Sequence, residues 1–266
     1  MAGLMTVELL KECMTEYSKF GYDGEYFAYL QKIQQLKDDC GEELARHLIE
    51  FLNTWGQCRI PYAASLPKAL KDALRDIQPF LIPTRQFTIE DADLSAVVPV
   101  GEQQNLQLAH IAHICLDRLS ALGKRFSGVA SAKALHMLSP TFFVMWDRTI
   151  SEGYRRILSA RGCDGWFYAH EFLPRMQREA ANLIEDGTKE GNRSREQFLD
   201  EVRSGFGAFP TAKTVAKVVD EFNYIMFTRG KFAKLPESQL TSPVLGETVA
   251  QDGHTPAHPD QRFKQC

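Results

Sequence analysis

Apolar residues recur at helical spacing along most of the chain. Val7 to Lys19 reads as a helix, and a second runs from Glu25 to Lys37 with Tyr26, Phe27, Leu30 and Ile33 on one side. Glu42 to Asn53 is amphipathic, with Leu44, Leu48, Phe51 and Leu52 sharing a face. Thr54 to Pro61 is a loop broken by Gly56 and Pro61. Pro67 opens a further helix that closes near Pro79 or Pro83. Gln103 to Leu122 reads as one long helix, with Gly123 at its C-terminal cap position. Val129 to Leu138 is a short helix, and Ser139-Pro140 can start another turn. Asp147 is placed to cap a helix reaching about Leu158. Helices also fit Trp166 to Glu185, Ser194 to Arg203 and Thr211 to Thr228, with a polar loop from Lys189 to Ser194. No segment alternates as a strand should, and no repeat recurs, so the expected fold class is all-α.

From about Leu235 apolar residues thin out and Pro, Ser, Thr, Gln and Gly take over. Such a composition cannot bury enough surface to offset its ordering entropy. The expected organisation is one helical domain over residues 1–234 and a disordered tail over 235–266. No stretch approaches the ~20 apolar residues of a membrane span. The six cysteines (13, 40, 58, 115, 163 and 266) form no CxxC pair and follow no apolar leader, so free thiols in a reducing, cytoplasmic setting are expected.

The net charge of −3 excludes a bulk polycation, but charge is unevenly spread. Between Leu122 and Arg161 seven basic residues (Lys124, Arg125, Lys133, Arg148, Arg155, Arg156, Arg161) face two acidic ones (Asp147, Glu152), a net of +5. Within that window, Phe126-Ser-Gly-Val-Ala-Ser-Ala-Lys-Ala-Leu-His-Met-Leu138 follows the end of a helix with a tight turn and a second helix. Free N–H groups at a helix start, together with its dipole, favour an anion such as a phosphate. Lys124, Arg125 and Lys133 add charge beside it.

This stretch resembles the helix-hairpin-helix DNA glycosylase superfamily. In that superfamily a Gly-hydrophobic-Gly turn opens a helix, and an aspartate follows in an apolar-Asp-x-x-apolar setting. Gly128-Val129-Ala130 matches the turn, and Val144-Met-Trp-Asp-Arg-Thr-Ile150 matches the aspartate segment. Ala132 to Ile150 is most similar to the 8-oxoguanine-glycosylase-like group of small stand-alone prokaryotic proteins. Two departures stand out: Ala130 replaces the second glycine, and Ala132 occupies the position of the nucleophilic lysine of bifunctional members. Lys133 comes one residue later, rotated by about 100° on a helix.

The resemblance implies a monofunctional DNA glycosylase that acts on double-stranded DNA as a monomer, without a cofactor. Asp147 would be catalytic, and Lys133 either a phosphate contact or, by a shift of register, a nucleophile. Lys124, Arg125, Gly128, Val129, Ala130 and Arg148 would bind DNA. The substrate would be a damaged base, or a glucosylated hydroxymethylcytosine of phage DNA in a defence role. Cleaving an N-glycosidic bond builds positive charge on the sugar, which a carboxylate opposite the leaving base stabilises. The flipped base needs aromatic walls, for which Trp146, Trp166, Tyr168 and Trp55 are candidates, with His136 close by. Asn53, Gln57 and Arg59 sit on an early loop comparable to the one that fills the gap left by the flipped base. His110 and His113 are one turn apart with Cys115 nearby, but without a second ligand pair they define no metal site. Two rival readings use the same residues: a non-catalytic helix-hairpin-helix DNA-binding module, and a helical protein-interaction domain.

Overall fold

The computed structural model describes residues 4–61, 64–101, 104–123 and 126–234. Lys124, Arg125 and the tail from 235 to 266 lie outside the described residues.

The protein is predominantly helical. Helix α1 (Val7–Tyr17) buries Leu10, Cys13, Met14 and Tyr17, the i, i+3, i+4, i+7 set of one face. It packs on α9 (Leu173–Gly191) and α11 (Val215–Asn223) near the other end of the chain. Buried Glu179 of α9 accepts the N–H groups of Leu4 and Met5 at 3.0 and 2.9 Å, fixing the entry into α1. Helices α2 (Asp23–Leu36), α3 (Glu42–Asn53) and α4 (Leu66–Thr84) follow in sequence, each packed on the next.

Helix α4 runs through Pro79 to one residue beyond Pro83. An interior proline costs about 3 kcal/mol. Burial of Leu70, Leu74, Ile77 and Leu81 contributes roughly 1.5–3 kcal/mol each, enough to carry the helix past Pro79.

The expected helix from Gln103 is corrected. Val97–Val100 (β1) and Gln104–Gln107 (β2) form a two-stranded antiparallel hairpin, with Val97 opposite Gln107 and Val100 opposite Gln104. Helix α5 begins only at Leu108 and runs to Ser120. β-Branched Val97, Val98 and Val100 favour extended backbone, and Gly101 takes φ +62° in the turn. Leu108 and Ala109 donate their N–H groups to the carbonyls of Ala96 and Leu94 in the turn that leads into β1, which fixes where the helix starts.

Helix α6 (Gly128–Leu138) is the centre of the molecule. Ala130, Ala132, Ala134, Leu135, Met137 and Leu138 are all buried, and α5, α2 and α3 pack on it. His136 is locked inside: Nδ1–H donates to the Phe143 carbonyl at 2.7 Å, so Nε2 accepts the Tyr26 hydroxyl at 2.7 Å. Only Val129 and Lys133, one turn apart, are half-exposed on this helix. The buried run Phe142 to Trp146 then leads to α7 (Arg148–Ile157). Helix α8 (Asp164–Phe167) continues through a π turn at Tyr168–Phe172 into α9. Pro174, which has no N–H to donate, follows that widened turn. Because α9 extends to Gly191, the polar loop shrinks to Asn192–Ser194, where Ser194 and Gln197 form a capping box for α10 (Arg195–Arg203). Helix α11 ends in a second π turn, Tyr224–Thr228.

Among the described residues no helix is long and apolar enough to cross a membrane. Cys13, Cys40 and Cys115 are buried, Cys58 is half-buried and Cys163 exposed, all as free thiols.

Candidate functional site in a cleft between helix α6 and an early loop

One cavity of about 850 Å³ gathers residues from six separate stretches of chain, one of them represented by Asp164 alone. Val129 and Lys133 come from α6, and Met145 to Glu152 from the start of α7. Thr54 to Cys58 supply the early loop, Tyr17, Tyr22 and Glu25 the first two helices, and Asp220, Tyr224 and Thr228 the end of α11.

Asp147 is the N-cap of α7, and its Oδ1 accepts the Ile150 N–H at 2.8 Å. Its Oδ2 accepts the hydroxyl of Thr228. The carboxylate is half-buried at the cavity wall, beside the free N–H groups of a helix start. Lys133 lies across α6 from the buried core face, and its Nζ donates to the Gly56 carbonyl at 2.8 Å. The ammonium also sits 5.9 Å from the Trp55 ring centroid. It therefore points into the cavity and ties α6 to the early loop. Ala132, one residue before Lys133, is fully buried in the core.

The early loop is tightly built. The Asn53 side chain donates to the Ile60 carbonyl at 2.9 Å and accepts its N–H at 2.6 Å, pinching the loop shut. Between them Gln57 and Arg59 both take φ +51°, a conformation of order 1–3 kcal/mol unfavourable for such residues. Both are exposed, and Gln57 lines the cavity rim. Trp55 stacks on Phe51 with centroids 5.3 Å apart, and its indole N–H donates to the Tyr22 carbonyl at 3.2 Å. Burial pushes the Cys58 thiol up, against the pull of Lys133, so this cavity residue is disfavoured as a thiolate.

The start of α6 is braced from below. Trp146 is buried, and its indole N–H donates to the Gly128 carbonyl at 3.2 Å. A Cβ at Gly128 would lie 2.5 Å from Asp164 Oδ2, so glycine is what permits that approach. Asp164 in turn holds Arg155 at 2.9 Å. Ser127 caps α6, and Ala130 is buried one turn in.

The remaining sequence candidates lie elsewhere. Tyr168 is a core residue whose hydroxyl donates to the Val144 carbonyl at 2.7 Å. His136 is enclosed as described, and burial lowers its pKa to about 3. Trp166 is exposed on α8 and packs against His170, outside the cavity lining. Asn53 and Arg59 belong to the loop but not to the lining.

Sequence reasoning missed the aromatic end of the cleft. Tyr17 packs edge-on to Tyr22 and Tyr224, at 6.2 and 6.0 Å. Beneath them, buried Lys217 pairs with Asp220 at 2.7 Å and lies 4.7 Å from the Trp55 ring. Burial works against the Lys217 charge, but Asp220, Tyr17 and Glu221 more than offset it and hold the ammonium. Lys213 pairs with Glu221 at 2.7 Å and with Asp23 at 2.7 Å in the same layer. These residues come from both ends of the described chain, and no motif connects them.

The lining is not a simple phosphate groove. It carries five carboxylates (Glu25, Asp147, Glu152, Asp164, Asp220) against three cations (Lys133, Arg148, Arg155). Exposed Arg148 is paired with Glu152 at 2.7 Å, and exposed Arg156 and Arg161 lie on α7 and just beyond it. Three of these carboxylates (Glu25, Glu152, Asp164) are exposed, whereas Lys133 and Arg155 are half-buried, so both signs of charge occur at the mouth and in the interior.

No protein-family model, curated protein or solved structure matches this chain.

Proposed function

We propose that the protein is a DNA glycosylase of the helix-hairpin-helix type that hydrolyses the N-glycosidic bond of a modified base. The observation that carries this reading is the convergence of Asp147, Lys133 and the Trp55–Gln57 loop on one cavity. In the proposed step water bonds to C1′ of the deoxyribose as the glycosidic bond breaks. The bonding pair leaves with the base, which takes a proton from solvent, and the proton lost by the water passes to Asp147 and then to solvent. The half-buried Asp147 carboxylate suits the cationic transition state, and phosphates fall to the exposed arginines of the same stretch, Arg148, Arg156 and Arg161. Gln57 is the proposed wedge, because it is exposed at the rim in a strained conformation. Trp55 and the tyrosines form the walls for the flipped base.

Small-molecule sites occupy roughly 300–1,000 Å³. A cavity of about 850 Å³ has room for an enlarged base such as glucosylated hydroxymethylcytosine as well as for a small lesion. The test is incubation with duplexes carrying different modified bases, including phage DNA with glucosylated cytosine, followed by an assay for abasic sites. Base release from none of them would leave a non-catalytic DNA-binding module in first place.

One observation favours a second route. The Lys133 amine is half-buried in the same cleft. In its neutral form it could attack C1′ in place of water, expel the base and go on to an imine with the opened sugar.

A further inference from the structure

We propose that His113, Asp117 and Cys163 form a zinc site on the surface outside the cleft. Their ligand atoms all lie within 4.8 Å of one another. His113 and Asp117 are one turn apart on α5, with Nε2 and Oδ2 at 3.1 Å. Cys163 is the N-cap residue of α8, which packs directly on α5. The approach is close because residue 165 is glycine: a Cβ there would lie 1.8 Å from Asp117 Oδ1 and 3.1 Å from His113 Cδ2. Of His110, His113 and Cys115, which the sequence sets close together, only His113 belongs to this group, since Cys115 is fully buried in the core. The tertiary fold supplies Asp117 and Cys163 in its place.

The donor set selects the metal. Tetrahedral zinc takes thiolate, imidazole and carboxylate at about 2.0–2.3 Å, which sets ligand atoms about 3.3–3.7 Å apart. Rotation of the exposed Asp117 and Cys163 side chains closes the remaining gap. Magnesium and calcium want oxygen alone, and this set offers only one carboxylate. Water, or His170 with its ring 5.5 Å from that of His113, completes the fourth position. The metal would tie α5 to the turn carrying Asp164, the residue set against Gly128 and paired with Arg155 at the cleft wall. Its role is that of a staple for one wall of the cleft, and it does not depend on what the cleft binds.

The test is cobalt titration of the chelator-treated full chain, read by absorbance. One equivalent should give a thiolate-to-cobalt charge-transfer band with intense tetrahedral ligand-field bands, and zinc should displace both. Cys163→Ser should abolish the charge-transfer band, and His113→Ala should weaken binding by at least ~10-fold. Zinc should also raise the melting temperature of the parent protein but not that of Cys163→Ser. Absence of a saturable one-equivalent band, or a band that survives Cys163→Ser, would overturn the site. Should His113→Ala fail to fold, the exposed Asp117→Asn change carries the same test.

Discussion

Thr228 donates its hydroxyl to the carboxylate of Asp147, which stands 81 residues earlier in the chain. The contact joins the last turn of the α11 segment to the N-cap of α7. With Ile150 holding the other oxygen, the carboxylate is fixed from two directions. Asp147→Asn keeps the size and much of the capping ability but loses the charge. The expected outcome is stability within about 1 kcal/mol of the parent, by denaturant unfolding. Duplex binding should be retained, with base release at least ~10²-fold slower. Full activity in this variant would remove Asp147 from the proposed chemistry.

Lys133 separates the two routes. On the hydrolytic route Lys133→Ala should slow base release less than Asp147→Asn does, through loss of the tie to Gly56. Borohydride should then trap no covalent protein–DNA adduct. An adduct formed by the parent and abolished by Lys133→Ala would assign Lys133 as the nucleophile instead.

Gly128→Ala tests the close approach at the hairpin. The new Cβ meets Asp164 Oδ2 at 2.5 Å and Cβ at 2.7 Å, so the turn must shift. A loss of about 1–3 kcal/mol is expected in urea unfolding. Asp164→Gly in the same chain should recover part of it, giving a coupling that a double-mutant cycle reads directly. Strict additivity would mean that the two residues do not press on each other.

His136 sets an acid limit on stability. Burial is the main cause of its low pKa of about 3, with Lys217 acting the same way and the hydrogen bond to Phe143 opposing. A histidine depressed in the fold contributes fully above its unfolded value near 6.5. That contribution is lost as pH falls from 6.5 toward 3, because the unfolded chain takes up the proton first. The slope for one proton is about 1.4 kcal/mol per pH unit. Unfolding free energies measured from about pH 7 down to about pH 4 should fall with at least that slope at the acid end. His136→Gln should start lower and fall less steeply. An unchanged slope would assign the acid loss to other groups.

Salt dependence tests the basic window of the sequence, whose Lys124 and Arg125 lie outside the described residues. Charge reversal at Lys124 and Arg125 should weaken binding to any duplex and flatten the dependence of affinity on salt. Unchanged affinity and slope would exclude these two residues as DNA contacts.

Periodicity and capping chemistry made most helices legible before any coordinates. The bounds of α3, the Asp147 cap on α7 and the Ser194 cap on α10 follow from local side chains and their own backbone. Where sequence reading erred, a longer-range contact decided. Gln103 to Gln107 scans as helix, yet β2 pairs with Val97–Val100, because strand pairing depends on a partner outside the local window. Helix α4, by contrast, stops at Thr84, beside the second of the two prolines at which its end is expected. The candidate site divides in the same way. Asp147, Lys133, Val129 and the Trp55–Gln57 loop could be named from local pattern and resemblance, since each lies in a short recognisable stretch. Tyr17, Asp220, Tyr224 and Thr228 share the cavity only because α1 and α11 pack together. Tyr168 and His136 are drawn into the core by carbonyls of the 142–146 segment. Local pattern fixes which face of an element is apolar, whereas the cavity exists only where several elements fail to meet, and that is a property of their packing.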